Sequence, residues 1–320
     1  MGGIRSGAGV IVGVIDIGTN TVLLLVARIE DGNAITPLVY EQRIPRLGRR
    51  VDATRNLDAS SMARVIAVLR EYAALVLPYE PAAMAVCGTS AVRDAANRDL
   101  FARDILAQTG YRLEVLSGEE EAYWTYRGAA SGVPGTGRLT VVDIGGGSTE
   151  IITGARSSID RRISLTLGSV RLTERFLRHD PPTPGELDAA GRFTEEELAR
   201  ASGFQFAGTT LVGVAGTATS LAMLARGIGD FDIAAVTNTP LTRAEVEGLY
   251  GRLRTMPSTE ILRLSRVMEG RSDVITAGAL IARSLMSRFE FSAMTVSERG
   301  VRYGIAIREA ERLRGSGVSQ

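Results

Sequence analysis

The 320-residue chain contains no lysine, so all 37 of its basic residues are arginine. That absence removes a P-loop lysine, a Schiff-base lysine and a lysine-bound pyridoxal cofactor from consideration. Phosphate has to be gripped instead by backbone amides and arginine forks, and the planar guanidinium suits that task through its paired N–H donors. One cysteine and one histidine are present, Cys87 and His179. They are too few for a thiolate or imidazole metal site, a disulfide, or a Ser-His-Asp triad of ordinary kind. Cys87 lies in the apolar run AMAVCG and is expected in the core, whereas His179, in RHDPPTP, is expected to face solvent. The 36 acidic residues leave a net charge of +1, so nothing draws the whole molecule to nucleic acid or an acidic membrane, and a polyanion site has to be local. No apolar run reaches the ~20 residues that span a bilayer, and the N-terminal segment turns directly into a hairpin. This predicts a cytoplasmic protein with neither a membrane nor a nucleic-acid partner. The opening MGGIRS fits the loose pattern for N-myristoylation, but nothing polybasic accompanies it and it is set aside.

With 45% hydrophobic and 23% charged residues, the chain is an ordinary globular one, long enough for two domains with separate cores. A repeat marks each half. VIDIGTNTVLLLVA, from Val14 to Ala27, returns as VVDIGGGSTEIITGA, from Val141 to Ala155. Each copy reads as an apolar strand that delivers an Asp to its end, a Gly-rich turn with hydroxyl or amide side chains, and a second apolar strand. Such a hairpin is built to meet phosphate. Glycine lets the backbone approach a ligand so that consecutive N–H groups point at oxyanions, while the Asp holds a hydrated cation beside them. Two facing copies would make a clamp. The copies differ: Gly145, Gly146 and Gly147 precede Ser148 and Thr149, where the first copy has Thr19, Asn20 and Thr21.

After the first hairpin comes a polar segment, 28–56, then a helix from Asp58 or Ser60 with apolar residues at helical spacing. AAMAVCGT reads as a strand, SAVRDAANRDLFARDILAQTG as one helical stretch ending at Gly110, and RLEVL as a strand. Strands alternating with helices indicate an α/β layer. SGVPGTG, 131–137, has linker composition, which places a domain boundary between residues 1–132 and 133–320. Downstream, Thr183 with Glu186 and Thr242 with Glu245 are capping boxes that open two surface helices. LVGVAGTATSLAML is a strand, a Gly-Thr turn and a helix start whose amides are free to face the same ligand. The tail, about 301–314, is expected to be helical and to pack back on the first domain, its Arg-rich face a solvated surface.

Three acids and one arginine carry the candidate chemistry. Asp16 and Asp143 sit at strand ends, where either acts in its own turn as an N–H acceptor or answers a cation. In LSGEEEAYWTYRG, Ser117 and Glu120 form a capping box and Glu119 suits the helix dipole. Glu121 is left over, and a spare carboxylate beside phosphate is what a hydrolase needs to take a proton from attacking water. Arg93, in GTSAVRDA, falls in the first turn of a helix whose dipole disfavours cations, so either a nearby acid such as Asp94 or a bound oligophosphate compensates it.

The ordered set DIGTNT, GTSAVR, SGEEEA, DIGGGSTE, LGSVRLTERF, GVAGTATSLA, GRSDVITAGALI and VSERGVRYGIA, which covers nearly the whole chain, resembles the exopolyphosphatase and guanosine pentaphosphate phosphohydrolase (Ppx/GppA) family. The resemblance implies an α/β fold of two ribonuclease-H-like domains within the actin-like ATPase superfold, with an active-site cleft between them. It implies Glu121 as general base and Arg93 on the phosphate under attack. It further implies Asp143 and Glu150 at a Mg²⁺ ion, phosphate contacts from Gly145, Gly146, Gly147 and Ser148, and Asp16, Thr19 and Asn20 opposite. Arg271 and Arg302 match positions at the cleft or its rear, or else bridge elements of the second domain. Two departures stand out: Tyr303 replaces an acid found in many relatives, and the helical C-terminal domain of longer relatives has no counterpart before Gln320. The implied activity is release of orthophosphate from inorganic polyphosphate, with short chains favoured, guanosine pentaphosphate as rival substrate and a homodimer expected by likeness alone. An ATPase or kinase of the same superfold, and a noncatalytic phosphate or nucleotide sensor, are the alternatives of other classes.

Overall fold

The structure, a computed structural model, describes residues 9–135, 137–156 and 158–316; the MGGIRS pattern lies outside them. The chain forms two units, one built from residues up to Ser131 together with the segment from Val301, the other from Gly132–Gly300.

In the first unit, β1 (Val10–Ile17) and β2 (Val22–Ile29) form the first Asp hairpin, and β3 (Ile35–Arg43) adds to β2. Next come α1 (Val51–Thr54) and α2 (Ala59–Val76), capped by the Asp58 carboxylate on Ser61 N, and then β4 (Ala83–Gly88), parallel to β1. Two helices follow, α3 (Ser90–Asp94) and α4 (Arg98–Thr109), then β5 (Leu113–Val115), parallel to β4, and α5 (Gly118–Ala130). The sheet runs β3-β2-β1-β4-β5.

The second unit repeats this plan. β6 (Arg138–Ile144), β7 (Thr149–Ala155) and β8 (Ser158–Leu165) make the antiparallel part, followed by α6 (Ser169–Phe176) and α7 (Pro184–Ala199). Then come β9 (Thr209–Val214), parallel to β6, α8 (Ala215–Ala225), β10 (Pro240–Thr242), α9 (Arg243–Leu253), α10 (Ser258–Leu262), α11 (Ile275–Arg288) and β11 (Ala293–Val296). The order β10-β11-β9-β6-β7-β8 contains, read from β8, the same arrangement of an antiparallel meander followed by parallel strands, with β10 added at the edge. Both sheets therefore carry the ribonuclease-H-like order. The last helix, α12 (Val301–Ser316), belongs to the first unit.

Strand parity sorts the cores, because successive side chains point to opposite faces. On β1, Ile15 and Ile17 pack with Met62, Val65, Leu69 and Tyr72 of α2 and Phe101 and Ile105 of α4. Val12 and Val14 take the other face, with Tyr303, Ile305, Ala306 and Ala310 of α12. Asp16 shares their parity, so it is delivered to the face that α12 covers. Helix α12 also packs on α5, and Gly304 is what lets it close: a β-carbon there would overlap the carbonyl of Trp124. Cys87 is buried in this cluster, and burial pushes its thiol pKa up.

Three expectations need correction. The polar segment after the first hairpin holds a full strand, β3. The stretch 90–110 is two helices, because Asn97 clips the backbone of Leu57 in both directions, accepting from its N–H at 2.8 Å and donating to its C=O at 2.9 Å. Those tertiary bonds outweigh helix continuity. Most arginines of α12 are docked rather than solvated: Arg308 donates to both oxygens of Glu114, at 2.7 and 2.6 Å, and Arg314 to the carbonyls of Ile29 and Glu30, while Arg312 stays exposed as expected. Among the described residues no helix is long and apolar enough to cross a membrane.

Candidate active site

Helix α5 begins with a complete capping box, in which Ser117 Oγ accepts from Glu120 N and Glu120 returns to Ser117 N at 2.9 Å. One position further along, Glu121 turns inward and is 7% exposed. Arg93 meets it there, donating through Nη1 to Glu121 Oε2 at 2.8 Å and to the carbonyl of Leu116 at 2.9 Å. This corrects the electrostatic reading of Arg93. It occupies the last turn of the five-residue helix α3, where a cation is not opposed by the dipole, and its acidic neighbour is the candidate base itself. Burial raises the Glu121 pKa, against the lowering pull of Arg93. The carboxyl is thereby poised higher than an ordinary glutamate, which suits a group that must accept a proton near neutral pH.

Asp16 and Arg302 form the second constellation of this unit. Arg302 opens α12 and is 4% exposed, its guanidinium stacked 4.2 Å from the centroid of the Tyr40 ring. It does not bridge elements of the second unit, since α12 carries it onto the first. Asp16 Oδ1 and Arg302 Nη1 are both buried without a hydrogen-bond partner. Two such atoms of opposite charge are costly to leave unanswered and mark a place where water or ligand oxygen belongs. Burial, reinforced by Glu121 and opposed by Arg302, pushes the Asp16 carboxyl up to about 7. A carboxyl held partly neutral can donate a hydrogen bond to a phosphate oxygen. The adjoining turn is held by its carbonyls, Thr19 O accepting from Gly48 N at 2.7 Å and Asn20 O from Arg46 N at 3.1 Å, which leaves Thr19 and Asn20 beside the end of β1.

The raised Asp16 pKa carries a signed prediction. Between the unfolded value near 4 and the folded value near 7, the folded chain holds a proton that the unfolded chain has lost. The contribution of Asp16 to stability therefore falls as pH rises through this window and is lost above it. Asp16→Asn should raise the melting temperature of the ligand-free protein more at pH 8 than at pH 5; an equal shift at both values would show that Asp16 is not perturbed.

In the second unit, β6 and β7 place Asp143 directly opposite Glu150, so the two carboxylates share a face of the sheet. Both are buried, and Ser164 Oγ on β8 donates to Glu150 Oε1 at 2.6 Å. Among the described residues no three His, Cys, Asp or Glu side chains gather as a metal cage. The donor set that could hold a cation here is the Asp143–Glu150 pair, and Mg²⁺ is commonly held by one or two carboxylates with water and phosphate oxygens completing its octahedron. Gly145 N closes the following turn on Ser148 O at 3.0 Å, so Gly146, Gly147 and the buried Ser148 follow directly from the Asp143 strand. Thr217 Oγ1 donates to the Ile144 carbonyl at 2.7 Å, which ties the start of α8 to the same strand end. Ala215, at φ 60, enters this helix in the left-handed region, a strained conformation of the kind that concentrates at functional sites. Arg271, nearly buried, lies over Gly216 in the first turn of α8, in space that a β-carbon would take. It thus joins α8 to the segment before α11. Thus the structure gathers Asp16, Thr19, Asn20, Arg93, Glu121 and Arg302 in one unit and Asp143, Gly145, Gly146, Gly147, Ser148, Glu150 and Arg271 in the other.

Residues 25–313 match the Ppx/GppA phosphatase family. The chain is 38% identical over 312 residues to Exopolyphosphatase 2 of Mycobacterium tuberculosis, covering 92% of this chain and 97% of that one. It is 28% identical over 318 residues to a guanosine-5'-triphosphate,3'-diphosphate pyrophosphatase of Vibrio campbellii, spanning 98% of this chain and 62% of that longer one. The crystal structure of the Aquifex aeolicus member of the Ppx/GppA family superposes with a TM-score of 0.80 at 32% identity, over 95% of this chain and 98% of the other. Sequence, strand order and three-dimensional match agree, and the chain belongs to the Ppx/GppA phosphatase family.

Proposed function

We propose that the protein is a Mg²⁺-dependent exopolyphosphatase that releases orthophosphate from the end of inorganic polyphosphate, with short chains as its preferred substrates. The observation that carries this reading is the Arg93–Glu121 pair: a buried glutamate with no capping duty, held by the Nη1 of an arginine, is arranged for base catalysis on a phosphoryl group. Glu121 takes a proton from a water molecule as the water oxygen attacks the terminal phosphorus. The P–O bond to the bridging oxygen breaks, its electron pair leaves with the shortened chain, and no covalent enzyme intermediate forms. Arg93 orients Glu121, and its positive charge favours the phosphoryl oxygens beside that carboxylate. The amides of Gly146, Gly147 and Ser148 hold oxyanions, while Arg271 adds charge, and Asp16 with Thr19 and Asn20 supplies hydrogen bonds from the first hairpin. Asp143 and Glu150 would hold Mg²⁺, which neutralises charge on the phosphate oxygens when bound. We place the reaction in the cytoplasm and expect a homodimer.

The rival substrate is guanosine pentaphosphate, favoured by the likeness to the Vibrio campbellii pyrophosphatase. Its terminal phosphoanhydride is chemically the same. A phosphate-release panel at equal Mg²⁺, with short polyphosphate, long polyphosphate, guanosine pentaphosphate and ATP, separates the readings. Fastest release from short polyphosphate is the expected result. A preference for guanosine pentaphosphate would transfer the assignment to the nucleotide, ATP hydrolysis alone would point to an ATPase, and tight binding without turnover would point to a sensor.

A further inference from the structure

Three successive carbonyls of the triple-glycine turn are all bonded by one short helix. Ser169 N donates to Gly145 O at 2.9 Å, Val170 N and Arg171 N donate to Gly146 O at 2.8 and 3.0 Å, and the Arg171 side chain donates through Nε to Gly147 O at 2.7 Å. Helix α6 can come this near only because residue 168 is glycine: a β-carbon there would overlap the peptide joining Gly146 to Gly147. In a trans peptide the N–H points opposite to the preceding carbonyl. With the carbonyls of Gly145, Gly146 and Gly147 drawn toward α6, the N–H groups of Gly146, Gly147 and Ser148 are all turned away from it. That is a run of aligned donors, the arrangement that binds an oxyanion. Glycine is the residue least able to hold such a conformation by itself, so the orientation has to be imposed from outside the turn.

Arg171 is the informative member of this set. It is 6% exposed and lies in the first turn of α6, where the helix dipole disfavours a cation. Two of the three carbonyls are met by backbone amides that any residue supplies. The third is met by a side chain, and only a long donor starting from position 171 reaches it.

We propose that Arg171 is a positioning residue of the phosphate site: through Gly147 O it fixes the peptide planes of the turn, so that the Gly147 and Ser148 amides face the phosphoryl group before substrate arrives. This rests on the phosphate-binding reading of the turn given above. Its effect belongs to binding and preorganisation, not to proton transfer, which distinguishes Arg171 from Glu121 and Arg93.

The test compares wild type, Arg171→Met and Arg171→Lys in hydrolysis of tripolyphosphate and in product inhibition by inorganic phosphate, with melting temperatures measured alongside. Arg171→Met should raise both the KM for tripolyphosphate and the inhibition constant of inorganic phosphate by about tenfold to a hundredfold, the scale of loss from misplacing a binding group. The acid limb of the pH–rate profile, set by Glu121, should stay where it is. Arg171→Lys keeps a donor of similar length and should recover most of both constants. Wild-type constants in a folded Arg171→Met variant would overturn the proposal, as would loss of binding that Arg171→Lys fails to restore. If Arg171→Met does not fold, Arg171→Gln takes its place, with the same two outcomes deciding. Should wild type neither hydrolyse tripolyphosphate nor respond to inorganic phosphate, the phosphate reading of the turn itself falls, and the role of Arg171 with it.

Discussion

Glu121→Gln should lower kcat on polyphosphate by about 10²–10⁴-fold, the range supplied by a positioned general base, while the dissociation constant for substrate stays close to that of wild type. The amide occupies the same volume and its oxygen still accepts from Arg93 Nη1, so the pair that orients position 121 survives the change. What disappears is the capacity to take a proton. The pH profile gives an independent reading of the same residue. Burial holds the Glu121 carboxyl above the ordinary glutamate range, and only its ionised form is a base, so wild-type kcat/KM should fall as pH drops through that raised value. The residual rate of Glu121→Gln should lack this acid limb. Near-normal hydrolysis by the variant, or an unchanged acid limb, would remove Glu121 from the mechanism and leave Arg93 as the partner of a merely structural acid.

How much of this could be read from the sequence follows from the range of each signal. The hairpins and the capping boxes at Ser117, Thr183 and Thr242 are local, encoded within a few residues, and the structure contains each of them. Because the Ser117 box consumed Glu120, the same local logic singled out Glu121 as the acid without a task. Strands β3 and β8 escaped notice because they carry mixed, partly exposed side chains without a clean apolar alternation, and their place is set by pairing with the hairpins. Tyr40 and Ser164, which touch Arg302 and Glu150, lie on those two strands and were missed with them. The break between α3 and α4 depends on Asn97 meeting Leu57, forty positions away along the chain, and no periodicity encodes that. Arg302 was the least legible: its neighbour Asp16 lies near the other end of the chain, and the two meet only because α12 returns to the first unit. Local chemistry was thus readable, whereas the partners of buried charges came from tertiary pairing.

Asp143→Asn should raise the Mg²⁺ concentration needed for half-maximal phosphate release by about tenfold to a hundredfold or more, since even groups that only orient a metal ligand change affinity on that scale. Asp143 and Glu150 are directly paired across β6 and β7, so a bound cation would be shared by two carboxylates on one sheet face, with no third acidic, histidine or cysteine side chain gathered among the described residues. A two-carboxylate set is short for calcium and adequate for magnesium, whose remaining positions go to water and phosphate oxygens. Removing one of two charges therefore costs most of the protein's hold on the ion. Asparagine keeps the shape and one oxygen, so saturating Mg²⁺ should recover a large part of kcat. Ser164→Ala should give a milder rise in the same constant, because it removes only the hydroxyl that steadies Glu150 at 2.6 Å. The two variants form a graded series that a purely structural Asp143 would not produce. An Asp143→Asn enzyme with wild-type Mg²⁺ dependence would contradict the ligand assignment, and a uniform fall in kcat that no amount of Mg²⁺ relieves would move Asp143 from holding the ion to shaping the turn.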